Sequence, residues 1–259
     1  MRKLFIALAL ATIAGSATAQ TQPYPSRSIT LVVPFPPGGS TDAAARIMAE
    51  RMRVPLGQPI VIENVGGAGG SIAVGRVARS APDGYTFDIG QWDTHVGSII
   101  YKLEYDLQKD FEPIGLISNN PQLMVARNGL PANTLAELVA WMKTNPGKIK
   151  ALANMSPQRS ASMPDIPTSD ETGVPGLYMS GWFGFFAPKG TPKDIIARLN
   201  AAMTEALADP TVQKRFSEFG LDIAPPEQQT PEGLAAFQKA EIDKWWPIIR
   251  AANIGAQAQ

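Results

Sequence analysis

The chain has 259 residues, 44% of them hydrophobic and 18% charged, with basic and acidic side chains in equal number. This is a globular composition, sufficient for one large or two modest cores. Balanced charge removes the electrostatic ground for binding nucleic acid or an anionic membrane, and the absence of cysteine excludes a disulfide framework.

The N-terminus reads Met1-Arg2-Lys3, then an apolar run from Leu4 to Ile13, then Ala17-Thr18-Ala19. A basic region, a short hydrophobic region and an Ala-x-Ala site predict a signal peptide over residues 1–19. Removing Arg2 and Lys3 leaves a slight acidic excess. No later apolar run is long enough to span a bilayer, and no cysteine is present to carry a lipid anchor. The mature protein is expected to be soluble in the periplasm, held by its core alone.

Ile29 to Val33 is short, apolar and β-branched, as suits a strand of a parallel sheet covered on both faces. Pro34 to Gly39 makes a turn. From Ala44 the spacing becomes helical, with Ile47, Met48 and Met52 on one face and Arg46, Glu50 and Arg53 on the other. Ser40 or Thr41 is the expected N-cap, and Asp42 is expected to compensate the helix dipole. Gly57-Gln58-Pro59 breaks the chain before a second strand, Ile60 to Ile62. A glycine-rich turn, Asn64 to Ser71, leads to a helix with Ala73, Val74, Val77 and Ala78 on its apolar face. Two successive strand-turn-helix units in one parallel sheet place both turns at the C-terminal edges of their strands, where open α/β sheets bind ligands. The N–H groups of a first helical turn have no partner inside the helix, and they suit a carboxylate or a phosphate there.

Tyr85 to Ile89 is predicted as a third strand, and Gly90 to Gly97 as a polar loop holding the only histidine, His95. Ile114 to Ile117 and Leu123 to Val125 read as further strands. Thr134 to Glu137 is a capping box opening a helix that ends at Asn145-Pro146-Gly147. Ile149 to Ala153 is a short strand, Ser156 to Gly176 a surface loop, and Ser180 to Ala187 an aromatic strand. Helices follow from Pro192, from Pro210 to Gly220, and from Pro231. The aromatics of the last one, Phe237, Trp245 and Trp246, are expected in the core.

Known motifs fit poorly. Ile72 stands where a dinucleotide fingerprint needs its third glycine, and no Lys-Ser or Lys-Thr follows the turn as a phosphate loop requires. Gly69-Gly70-Ser71-Ile72-Ala73 is one residue from a nucleophile elbow, so a serine hydrolase using Ser71 and His95 is the enzyme alternative. One histidine and no clustered carboxylates leave no metal site, and no cofactor or catalytic residue is expected.

The chain closely resembles the Bug family, the TctC-like periplasmic receptors of tripartite tricarboxylate transporters. The resemblance rests on Tyr24 to Asp42, Val61 to Ile72, Ala81 to Tyr85, Thr94-His95, Tyr105 to Ile114, Leu135 to Lys148, Ser156 to Ser160 and Trp182 to Pro192. It implies an α/β protein with the type II periplasmic binding fold, two lobes of sheet flanked by helices, with a small carboxylated solute held between them. By position it places the ligand-binding residues at Phe35, Pro36, Pro37, Gly38, Gly39, Ser40, Thr41 and Asp42 of the first turn. The second turn adds Gly66, Gly67, Ala68, Gly69, Gly70 and Ser71, with Thr94 and His95 nearby. The implied partners are the solute and the membrane permease subunits, with the receptor acting as a monomer. The chain departs from the family at Asn145-Pro146-Gly147-Lys148, which runs straight into Ile149 to Ala153 where the family inserts most of its second lobe. The expected organisation is a first lobe of residues 24–115 and 181–254 and a truncated second lobe of residues 116–180. A ligand-independent interaction module is a further alternative.

Overall fold

In the computed structural model, residues 23–126, 137, 150–155, 157–159 and 165–253 are described. The predicted signal peptide, and all of the predicted helix from Thr134 except Glu137, lie outside them. A five-stranded sheet is ordered β2 (Ile60–Asn64), β1 (Ile29–Val33), β3 (Thr86–Gln91), β7 (Ser180–Pro188), β4 (Phe111–Pro121). β1 pairs in parallel with β2 and β3, while β7 runs antiparallel to both β3 and β4, so the sheet is mixed. A separate antiparallel pair joins β5 (Leu123–Ala126) and β6 (Lys150–Asn154).

Both faces of the large sheet are covered, which is why its central strands carry apolar runs. On one face α1 (Ser40–Leu56), α4 (Lys193–Ala208) and α5 (Pro210–Glu218) bury Ile47, Met48, Leu199, Met203 and Phe216 against Leu31, Phe87 and Phe185. On the other, α2 (Ser71–Ala78) and α6 (Pro231–Ala251) enclose Val32, Val74, Trp182, Phe186 and Leu234. Each such large side chain, removed from water, contributes about 1.5–3 kcal/mol.

Several boundaries differ from the sequence reading. The N-cap of α1 is Gly39, so the helix begins at Ser40 and neither Ser40 nor Thr41 caps it. The predicted third strand runs on to Gln91, and the predicted loop after it contains the short helix α3 (Trp92–His95). β4 is longer than predicted because it pairs along most of the aromatic strand β7, with bulges near Pro113 and Leu116. Trp245 and Trp246 are only partly buried. They buttress α3, Trp245 edge-on to Trp92 at 5.5 Å and Trp246 donating to the Val96 carbonyl at 3.0 Å. The chain leaves the large sheet through Gln122 and returns through Met179, and backbone bonds linking Gln122, Met155 and Met179 hold the crossing segments together.

Candidate functional site

Because β1, β2 and β3 are parallel neighbours, the turns that follow them leave one edge of the sheet side by side. Residues 36–40 and 66–69 are exposed there. No side chain caps α1, the single 3-10 turn Ala68–Gly70, or α2. Neither turn contains lysine or arginine. The edge therefore presents backbone N–H groups and the positive ends of helix dipoles without a fixed cation.

The first turn is held from below by Asp42, which does more than offset a dipole. Its carboxylate accepts the Gly38 N–H and the Arg46 guanidinium, each at 2.9 Å, and the Asn64 amide at 3.0 Å. The hydrogen-bonded Arg46 guanidinium, followed by these other donors, holds the buried carboxyl down at about 2 against its ordinary value near 3.9. Asn64, the last residue of β2, also donates to the Phe35 carbonyl at 3.0 Å, so β2 is stitched to the turn after β1. Gly38 has φ +95°, while Gly39 has φ −81°, and a Cβ on either would meet open space.

The second turn packs against the first and third. A Cβ on Gly66 would lie 3.7 Å from the Pro36 ring, and one on Gly70 would strike the Thr94 methyl at 2.6 Å and Pro34 at 3.0 Å. Ala68, Gly69 and Gly70 all have positive φ, so the backbone turns tightly here, and the buried Gly70 donates its N–H to the Gly67 carbonyl at 2.9 Å. Ser71 is the first residue of α2.

The third segment starts at Gln91. Its side-chain carbonyl accepts the Thr41 hydroxyl at 2.7 Å, and its N–H donates to Thr94 Oγ1 at 3.1 Å in a capping box. Thr94 and His95 are fully buried, not loop residues in water. The His95 ring stacks on Phe186 with centroids 4.1 Å apart; its Nδ1 meets Thr94 Oγ1 at 3.0 Å and its Nε2 faces Asp88 at 3.7 Å. Burial lowers the imidazole to about 3.

The structure thus brings the first turn, the second turn and Thr94 together, and sets His95 behind them. His95 directs its ring nitrogens at Thr94 and Asp88 and not at Ser71, so the arrangement required of a serine hydrolase is not formed. Among the described residues no cluster of side chains suits a metal ion. Asn64, Gln91 and Asp88 were not singled out from sequence. The available signals were Gln91 three residues before Thr94, as in a capping box, and a lone carboxylate at Asp88 between Phe87 and Ile89 of an apolar strand.

A two-faced α/β sheet with uncapped turns along one edge, and a crossing to a second small sheet, defines a receptor of the periplasmic binding type. The sequence pattern of the tripartite tricarboxylate transporter family receptor, TctC, matches residues 44–150 and 147–254, and the chain belongs to that family. Protein BugT of Bordetella pertussis is 30% identical over 95% of this chain and 94% of its own. MatC of Rhodopseudomonas palustris, solved with bound malate, is 32% identical with a TM-score of 0.79, covering 87% of this chain and 100% of MatC. A second R. palustris structure, solved with adipate, is 27% identical with a TM-score of 0.78, covering 90% of this chain and 99% of its own. These relatives are solute-binding receptors and not enzymes, and so is this chain. The two matched stretches meet at residues 147–150, and the BugT alignment runs over 313 residues, more than this chain contains, so a block of BugT has no counterpart here. Among the described residues, no helix is long and apolar enough to cross a membrane.

Proposed function

We propose that the protein is exported to the periplasm by its N-terminal signal, binds a small carboxylated solute as a monomer, and offers it to the permease subunits of a tripartite transporter. The observation that carries this reading is the pair of neighbouring turns after β1 and β2, uncapped by side chains, whose exposed backbone lies along one edge of the sheet. Phe35 to Asp42 and Gly66 to Ser71 form the contact surface, and Thr94 supports it from beneath. Backbone donors recognise a carboxylate without an ion pair, which suits a receptor that must release its load. The bound malate and adipate of the two R. palustris relatives support the same ligand class.

The expected boundary at residue 116 falls inside β4, so the first lobe is taken as residues 24–121 and 180–254, and the second as residues 122–179, shortened at Gly147 to Lys150. Closure of two lobes removes water and adds donors from both sides. With one wall reduced, each charge-assisted hydrogen bond realises only part of the roughly 1.5–3 kcal/mol available to it, so binding is weak. The test is isothermal titration at millimolar concentration with malate, adipate, citrate and an aromatic monocarboxylate. Millimolar affinity for at least one of them, lost in Gly39→Val, is the expected result. No binding by any carboxylate, or binding that survives Gly39→Val, overturns the reading.

A further inference from the structure

Asp88 is a fully buried carboxylate on β3, three residues before Gln91, and neither of its oxygens has a hydrogen-bond partner. His95 Nε2, its neighbour at 3.7 Å, is likewise unpartnered. The hydrogen bonds on the far side of the imidazole decide where the protons lie. Thr94 Oγ1 accepts the Gln91 N–H at 3.1 Å, and its own proton has the Gln91 carbonyl in reach at 3.2 Å. With that proton on the carbonyl, His95 Nδ1, at 3.0 Å, is the donor to Thr94, which leaves Nε2 as an acceptor. At 3.7 Å the pair is too far apart for a hydrogen bond, and a lone pair facing a carboxyl oxygen in a dry interior disfavours a negative charge on that oxygen. The opposite assignment, a charged Asp88 facing Nε2–H, takes the Thr94 proton from the Gln91 carbonyl and leaves a buried negative charge with one oxygen unmatched.

We propose that Asp88 is a neutral carboxylic acid whose carboxyl faces the unprotonated Nε2 of His95 across 3.7 Å and, through His95 and Thr94, positions Gln91 and the third segment of the solute site. Gln91 in turn receives the Thr41 hydroxyl, so the chain of contacts ends at the first turn of α1. A neutral Asp88 also adds no unpaired negative charge behind the edge where a carboxylate lands, whereas the Asp42 charge there is matched by Arg46. An ionised Asp88 would repel that carboxylate across a poorly screened interior.

The surroundings agree. Burial pushes Asp88 well above the usual carboxylate range and His95 down to about 3, so both favour their uncharged forms. The loop before β4 brings Tyr105, whose buried hydroxyl is also held above its ordinary range, chiefly by burial. From α2, Arg79 lies close enough to Tyr105 to oppose that rise and is itself turned toward Glu104 at 3.9 Å. β7 offers Phe186, β1 offers Val32 opposite Asp88, and α6 offers the neutral Gln238, which donates to the His95 carbonyl at 3.1 Å.

His95 is the only histidine, so nitrogen-15 NMR of the untagged protein reports its ring without assignment ambiguity. The expected spectrum at neutral pH is a neutral imidazole protonated on Nδ1. An imidazolium, or a neutral ring protonated on Nε2, overturns the proposal. This measurement is made on the free protein, so it decides the proton assignment even if the proposed function fails. The positioning role rests on that function and is read by malate titration of two variants. Asp88→Ala should weaken binding about tenfold, and Asp88→Asn, an uncharged side chain of the same shape as the neutral acid, should restore it. Asn as weak as Ala, or unable to fold, refutes the positioning role.

Discussion

Gly39 and Gly70 occupy neighbouring turns and answer differently to an added side chain. Gly39 has ordinary φ and open space around its Cβ position, so Gly39→Val should leave the melting temperature within about 2 °C while removing carboxylate binding. Gly70 has φ +89° and the Thr94 methyl in the way, and Gly70→Val should cost about 2–4 kcal/mol. Parallel thermal melts and titrations separate the two. Asp42 is the residue on which the first turn depends, and Asp42→Ala should cost about 2–3 kcal/mol in urea unfolding near neutral pH. Its folded value, about 2, is depressed, so its contribution is present above the unfolded value near 3.9 and is lost as pH falls through about 2. The gap between wild type and Asp42→Ala should therefore narrow across that window. Asp88 and His95 act in opposite senses. Lowered His95 contributes stability above about 6.5 that is lost progressively as pH falls toward 3; raised Asp88 contributes below about 3.9 and is lost as pH rises through its folded value. Asp88→Asn removes only the second effect. Its melting temperature should gain on the wild type as pH is raised above about 3.9; a constant difference would contradict a neutral Asp88.

At the scale of elements, local rules served well where a helix ends in water and less well where it ends at the site. Asp209 before Pro210 reads as a helix start, and Asp209 caps α5 through the N–H groups of Thr211 and Val212 while pairing with Arg51 of α1 at 2.8 Å. Asp209→Ala should cost about 1–2 kcal/mol, measured by thermal unfolding. Ser40 and Thr41 look equally good as caps, yet the helix starts beneath them. Thr41 is drawn to Gln91, a residue 50 positions away, and no local pattern contains that partner. The same holds for the segment after β3: its polarity suggests a loop, but α6 and β7 close over it and turn His95 inward.

For the whole molecule, the order β2-β1-β3-β7-β4 brings three turns to one edge and sends the chain through Gln122 to the small sheet and back through Met179. If a reduced second wall is what weakens binding, restoring it should strengthen binding. Grafting the segment of the malate-bound relative that faces residues 147–150 should tighten malate binding at least tenfold by titration. An unchanged affinity in a well-folded graft would show that the first-lobe turns alone set it.

Sequence alone determined the strands β1 and β2, the glycine-rich turns after them and the family, because apolar runs, glycine-rich breaks and helical spacing act over a few residues. The departure from the family pattern at Gly147 to Lys150 is also a sequence feature, and the two stretches matched by the family overlap there. Tertiary structure alone decided that Asp42 braces a turn, that Gln91 joins the site, and that Asp88 and His95 face each other in the interior. Those facts arise from strands and helices meeting across tens of residues, where burial and hydrogen-bond partners are assigned by packing and not by neighbours in the chain.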